Sequence, residues 1–225
     1  MNHRYFITGT DTGAGKTTLA CGLVHLLRDS GRVAVMKPVA SGCERREGQW
    51  CNDDAEALIA ASGEHWPYEL VNPFAFAPPI APHIAAAEAG VRIDTGEIVE
   101  KANRLMAQAP HFIVEGAGGL CVPLNEDEDF ADLAVALGLP VILVVGLRLG
   151  CLNHALLTAE VMKRRGLTLA GWAGSVIDSG MPHIRENVAT LDARLPAPCL
   201  GIVPRLSGAR PEHVAARLVP PPAPA

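Results

Sequence analysis

No stretch of this chain holds the ~18 consecutive apolar residues that a membrane-crossing helix needs. Met1-Asn2-His3-Arg4 leads straight into a β-rich run, which leaves no room for a signal peptide. The six cysteines, Cys21, Cys43, Cys51, Cys121, Cys151 and Cys199, are scattered and form no C-x-x-C pair. Spaced this way they read as free thiols of a reducing compartment, not as disulfides or a zinc site. Basic residues are not in excess: 19 Lys and Arg against 24 Asp and Glu give a net charge of −5. That balance argues against nucleic acid or an anionic membrane as the main partner. There is no internal repeat, and no nucleophile, histidine and acid stand in a context that suggests a covalent triad. The absences together leave a cytoplasmic, globular protein.

What is present suits one domain. The 225 residues are 49% hydrophobic and 19% charged, enough for a full core. Residues 1–219 read as a single unit and 220–225, Pro-Pro-Pro-Ala-Pro-Ala, as a frayed tail. Strand signals at Tyr5–Ile7, Val33–Met36, His111–Glu115, Pro140–Gly146, Leu167–Val176 and Cys199–Val203 alternate with helix signals at Leu19–Arg28, Asp53–Ala61, Asp94–Ala107, Phe130–Leu137, Leu152–Arg165, Pro182–Arg194 and Pro211–Leu218. This alternation predicts an α/β fold, a mainly parallel sheet with helices on both faces. Cys43–Asn52 reads as an irregular surface loop. Residues 65–82, rich in proline and aromatics, read as an ordered connection without long regular elements.

The organising stretch is Gly9-Thr10-Asp11-Thr12-Gly13-Ala14-Gly15-Lys16-Thr17, placed after the first strand and before the first helix. Glycines let backbone N–H groups close on phosphate oxygens, and the helix presents its positive end to the same anion. Lys16 adds a mobile charge and the Thr17 hydroxyl a hard ligand for Mg²⁺. The common pattern has glycine six positions before the lysine; here that position is Thr10.

In parallel sheets, ligands gather at the C-terminal strand ends. That rule collects Lys37 and Ser41 after the second strand, Glu115 at the end of the third and Gly146–Asn153 after the fourth. Glu115, followed by Gly-Ala-Gly-Gly, stands where nucleotide hydrolases keep a metal-side carboxylate. Read alone, Lys37 is equally a solvated strand-end lysine, and Asp54 a helix-terminal acid. His83 and His154 read as structural or surface residues, and Asp127-Glu128-Asp129 as a solvated run.

Taken together, the phosphate loop, Lys37-Pro38-Val39-Ala40-Ser41-Gly42, Val114-Glu115-Gly116-Ala117-Gly118-Gly119, Pro140–Gly146 and Leu149-Gly150-Cys151-Leu152-Asn153-His154 resemble dethiobiotin synthetase over almost the whole chain. The resemblance implies a P-loop NTPase fold. It also implies an ATP- and Mg²⁺-dependent ring closure of 7,8-diaminononanoate with CO₂, passing through a carbamate and a carbamic-phosphoric anhydride, in biotin biosynthesis. Lys16 and Lys37 are then the catalytic cations. Thr12, Gly13, Ala14, Gly15, Lys16 and Thr17 hold ATP, with Asp54 and Glu115 beside them. Thr17, Asp54 and Glu115 ligate Mg²⁺, and Thr12, Lys37 and Ser41 meet the diamine or its carbamate. The resemblance further implies a homodimer, in which Gly150, Cys151, Leu152 and Asn153 serve the neighbour's substrate carboxylate. Ser175 stands where the family commonly has an adenine-reading asparagine, and Asn187 where a tyrosine often holds the substrate tail. Pro204, Arg205 and Leu206 match the adenine-side loop.

Two rival readings share the loop. A partner-switching ATPase of the chromosome- or division-site-positioning type carries a second lysine early in the loop, where this chain has Asp11. A small-molecule kinase would release a phosphorylated product with no ring closed.

Overall fold

The computed structural model describes residues 2–206, 208 and 210–221; residues 222–225 of the expected tail lie outside the described residues. The chain opens with β1 (Arg4–Gly9), α1 (Lys16–Leu27), a 3-10 turn at Arg28–Ser30, and β2 (Val33–Met36). Then come β3 (Val39–Ser41), β4 (Glu44–Arg46), β5 (Gln49–Cys51), α2 (Asp53–Ser62), α3 (Tyr68–Val71), β6 (Phe74–Phe76), α4 (Pro82–Glu88) and α5 (Thr95–Met106). The second half alternates strictly: β7 (His111–Gly119), α6 (Phe130–Leu137), β8 (Val141–Leu147), α7 (Cys151–Arg164), β9 (Leu169–Val176), α8 (Ile184–Arg194), β10 (Cys199–Val203) and α9 (Pro211–Ala215).

Six strands form one parallel sheet in the order β10-β9-β8-β1-β7-β2. β8, Val-Ile-Leu-Val-Val-Gly-Leu, is buried at every residue, as a central strand covered on both faces must be. In β1, Phe6 meets Phe130 of α6 in a tilted ring pair with centroids 6.4 Å apart, while its neighbour Ile7 lines a small apolar cavity with Leu19 and Leu23 of α1. Successive strand side chains point to opposite faces, so helices cover both sides. The register pairs Ile7 with Glu115 and Ser175 with both Gly146 and Val203. Every strand end that the sequence marks is therefore brought to one edge.

The long elements other than β7 match the sequence to within two or three residues, and the short ones differ. Cys43–Asn52 is not irregular: β4 and β5 form an antiparallel hairpin turning on Glu47 and Gly48, both at positive φ, as a two-residue hairpin turn requires. Arg46 ties the hairpin to α2 through Asp53 at 2.6 Å and through Glu56. Residues 65–82 contain α3 and β6, and β6 pairs with β3; Pro82 then opens α4, where a missing N–H costs nothing. β7 runs past Glu115 through the glycines to Gly119. Residues 127–129 are only in part a solvated run: Glu128 accepts from Thr95 at 2.6 Å, and Asp129 builds the capping box of α6. All six cysteines are free thiols.

Candidate active site

The phosphate loop is braced by its own hydrogen bonds to β8. Thr10 N–H donates to Val144 O at 2.9 Å, and Thr10 Oγ1 accepts from Gly146 N–H at 3.2 Å. A threonine at this position thus fastens the loop to β8, which a glycine could not do. Asp11 Oδ1 accepts from Thr12 N–H at 2.7 Å, and its other oxygen pairs with Arg148. Gly15 starts α1 at φ +89°, and a Cβ there would run into Ser175 Oγ, so both backbone and space demand glycine. Lys16, 7% exposed, doubles back so that Nζ donates to Asp11 O at 3.0 Å. Burial lowers its pKa, Lys37 lowers it further, and the carboxylates of Glu115, Asp54 and Asp11 oppose the shift.

Beside the loop lies a chain of charges. Lys37 is not a solvated lysine: it is 3% exposed, and Nζ reaches Glu115 Oε1 at 2.7 Å, Asp54 Oδ2 at 2.9 Å and Gly116 O at 3.3 Å. Burial alone would lower its pKa; Glu115 and Asp54 more than reverse this and hold it above the ordinary 10.5. Burial pushes Asp54 up, but Lys37 and Thr17 outweigh it, so the carboxyl sits below the ordinary 3.8. Thr17 Oγ1 donates to Glu115 Oε1 at 2.8 Å. Glu115 is fully buried, and its Oε2 is buried with no hydrogen-bond partner, as is Ser41 Oγ.

These groups line a cleft of about 740 Å³ that runs from the loop past Lys37, Asp54 and Glu115 to Ser41. The volume suits a nucleotide tail plus a small substrate. Among the described residues no three His, Cys, Asp or Glu side chains form a metal cage of their own. Two carboxylates and a threonine hydroxyl, one carboxylate oxygen unpartnered, are hard oxygen groups that could hold a cation bringing its own phosphate and water ligands.

Of the remaining expected residues, Thr12 and Gly13 line the same cleft, while Ala14 is buried beneath the loop against Gly146. Ser175, 9% exposed, packs on Gly15 at the end of β9, and Pro204, Arg205 and Leu206 follow the adjoining β10. They occupy the β9–β10 side of the loop, away from Lys37. Gly150, Cys151, Leu152 and Asn153 open α7 and do not line the cleft of their own chain. The Cys151 N–H is already bonded to Arg148 O at 3.0 Å and its side chain is buried; Asn153 is exposed. Asn187 is spent on His183 O at 2.9 Å. The sequence reading passed over Asn52, which lines the cleft and caps α2 by accepting from Asp54 N–H and Ala55 N–H. Its signal was an Asn just before two acids at a helix start. It also passed over Arg148, Tyr68 and Asn72, for which the local sequence carries no signal.

A parallel sheet whose first strand feeds a glycine loop and a helix beginning Lys-Thr, with a buried acid on the neighbouring strand end, defines a P-loop nucleoside triphosphatase. A family model described as an AAA domain matches residues 3–213. The chain is 54% identical over 95% of its length to the ATP-dependent dethiobiotin synthetase BioD of Pseudomonas aeruginosa (strain UCBPP-PA14), covering 95% of that protein. It is 53% identical to the protein of the same name from Aromatoleum aromaticum, covering 95% of this chain and 96% of the relative. A ParA family ATPase from Chlorobium tepidum shares the fold, with a TM-score of 0.58 at 13% identity over 97% of this chain and 91% of that one. The chain belongs to the dethiobiotin synthetase family.

Proposed function

We propose that the chain closes the cyclic urea of dethiobiotin, converting 7,8-diaminononanoate, CO₂ and ATP to dethiobiotin, ADP and phosphate. The observation that carries the reading is the buried Lys37 ammonium, shared by Asp54 and Glu115 at the mouth of the phosphate loop and facing a cleft with room for a second substrate. In the reaction one amine adds to CO₂ and loses a proton, giving a carbamate. A carbamate oxygen then attacks the γ-phosphorus and ADP departs. The second amine attacks the carbonyl carbon of the resulting anhydride, and phosphate leaves as the ring closes.

The chain's part is to let two anions meet. Lys16 on the loop and Lys37 across the cleft place positive charge on either side of the transferring phosphoryl group, where preorganised charge acts without solvent rearrangement. The loop N–H groups from Gly13 to Thr17 hold the phosphates. Thr17, Asp54 and Glu115 would hold Mg²⁺, which when bound supplies charge neutralisation of the phosphate oxygens. Ser41 Oγ, buried and without a partner, is free to bond the carbamate or amine, and Thr12 lines the same cleft. Ser175 and Pro204–Leu206 border the base.

We further infer a cytoplasmic homodimer. No helix of the described residues is long and apolar enough to cross a membrane. Leu149 is 91% exposed and Leu157 58% exposed on and beside the first turns of α7, and a second copy would cover them. In that arrangement the Gly150–Asn153 turn faces the neighbour's cleft and its substrate carboxylate. The deciding experiment is mass spectrometry of the product from the diamine, ¹³C-bicarbonate and Mg·ATP. The expected product is a cyclic urea carrying one labelled carbon. A phosphorylated open-chain amine would establish a kinase instead, and no turnover of the diamine would sink the reading.

A further inference from the structure

Lys37 and Asp54 meet at 2.9 Å, yet they come from elements with no shared ladder: Lys37 follows β2, and Asp54 lies in the first turn of α2. At its tip Lys37 is also held by Glu115 and Gly116 O, but the half-exposed aspartate keeps side-chain freedom that costs geometry. A second connection joins them through the backbone. Asn72 Nδ2 donates to Lys37 O at 2.6 Å, and Lys37 N–H donates to Val71 O at 2.8 Å, so both main-chain groups of Lys37 are gripped by adjacent residues. Tyr68 Oη donates to Asn72 Oδ1 at 3.0 Å and accepts from Asn52 N–H at 2.7 Å. Asn52 Oδ1 accepts from Asp54 N–H at 3.1 Å and Ala55 N–H at 3.3 Å. The path Lys37–Asn72–Tyr68–Asn52–Asp54 then closes on itself through the ion pair.

We propose that Tyr68 and Asn72 are positioning residues that, through this closed ring, fix where Asp54 and Lys37 stand relative to the phosphate loop. Asn72 is 4% exposed and Asn52 8%, so the Asn72 end of the ring, where it bonds Lys37 O, lies in the interior, while Tyr68 and Asp54 are partly buried. Burial holds the Tyr68 phenol up at about 12, so its hydroxyl remains a donor throughout the working pH range. Groups that orient a metal-side ligand through its neighbours are part of the site although they touch no reactant. The frame matters because Lys37 and Asp54 are proposed to serve different groups, the substrate and the cation, from one ion pair, and a fixed backbone keeps the two side chains at a set separation.

The proposal rests on the metal-side reading of Asp54 and Glu115, and its test separates the two. ADP binding is measured by calorimetry over a Mg²⁺ series in the wild type, Tyr68→Phe, Asn72→Ala and, as a control at the far end of α2, Ser62→Ala. Tyr68→Phe keeps the ring volume and removes only the linking hydroxyl, so it folds. Its metal-free ADP affinity is expected within about twofold of wild type, because the loop is untouched. The Mg²⁺ concentration that half-maximally tightens binding is expected to rise about tenfold, the low end for an outer-shell partner of a metal ligand. Asn72→Ala breaks another link and should reproduce the shift; the double variant should add no more than about twofold, since an open ring has no frame left to lose. Ser62→Ala loses stability and keeps the wild-type Mg²⁺ dependence. Equal weakening with and without Mg²⁺, or a Tyr68→Phe protein identical to wild type, overturns the positioning role. A wild type whose ADP affinity ignores Mg²⁺ overturns the metal-side reading first, and the ring's role with it.

Discussion

An ammonium buried between two carboxylates is stable only while both partners keep their charge, and this sets what single substitutions at Lys37, Asp54 and Lys16 should do. The Lys37 pKa is raised in the folded protein, so its contribution is complete below the ordinary 10.5 and is lost as pH climbs through the folded value. The Asp54 pKa is lowered, so its contribution is present above the ordinary 3.8 and is lost as pH falls through the folded value. Between about pH 4 and pH 10 the pair is intact. Denaturant midpoints measured from pH 2.5 to 7 should show a shallower acid limb in Asp54→Asn than in the wild type; equal slopes would mean that Asp54 gains nothing from Lys37. Lys37→Met is a harsher change. It strands Glu115, which is fully buried, beside an apolar chain, and breaking such a pair costs about 3–5 kcal/mol. A denaturant midpoint barely moved at pH 7 would show that water or a rearrangement reaches Glu115. Lys16 differs from Lys37 because its buried charge is only partly matched in the resting protein, its pKa being lowered. Lys16→Ala should therefore leave stability unchanged or improved while turnover of Mg·ATP falls at least ~10²-fold, the scale of one preorganised electrostatic group. Near-normal turnover by the folded variant would remove Lys16 from the reaction.

At the scale of elements, legibility follows length and locality. β8 and α6 were readable because seven or eight residues of pattern lie between clear stops, Pro140 before one and Gly138 after the other. The three-residue strands β3 and β6 were not: too short to show a period, they exist because Val39–Ser41 and Phe74–Phe76 find each other across more than thirty residues of sequence. The β4–β5 hairpin was missed because its turn is Glu-Gly, a weaker signal than Asn-Gly or Asp-Gly. The site divides the same way. Lys16, Thr17 and Glu115 could be marked from the motif and the strand end, whereas the partners of the buried Lys37, Asp54, Glu115, Val71 and Asn72, lie seventeen or more residues away in the chain. Ser175 is an intermediate case, found by its place in β9 but not by its environment. Its Oγ rests against Gly15, so the longer Asn side chain cannot lie where the serine lies, and on the proposed reading it reaches past the loop to the base. An amide offers adenine both a donor and an acceptor, which a hydroxyl does not. Ser175→Asn should sharpen the preference for ATP over CTP and GTP by ~1–2 kcal/mol in kcat/KM. A wild type already strongly selective and a variant no different would place base recognition elsewhere, on Pro204–Leu206.

Taken as a whole, the molecule keeps its chemistry at one sheet edge and divides it around the phosphate loop. Lys37, Asp54, Glu115 and Ser41 stand on the β2–β7 side, and Ser175 and Pro204–Leu206 on the β9–β10 side. The start of α7 belongs to neither. It follows β8, is tied to the loop through Arg148 and Asp11, and carries Asn153 and the bare side chains of Leu149 and Leu157 outward. Gly150 to Asn153 do not line the cleft of their own chain, and in the proposed dimer a second copy supplies that turn. The consequence is testable by complementation. On the proposed dimer, Lys16→Ala damages the site of the chain that carries it, while Asn153→Ala damages the site of the neighbour. A heterodimer of the two has one site with both defects and one with neither, so a freely exchanged equal mixture, half heterodimer, should recover about a quarter of wild-type activity per subunit. Each variant alone should stay near its own low baseline. Size-exclusion and native mass spectrometry establish the dimer and the exchange. If exchange is complete and activity stays at the average of the two parents, Asn153 acts within its own chain and the site is self-contained.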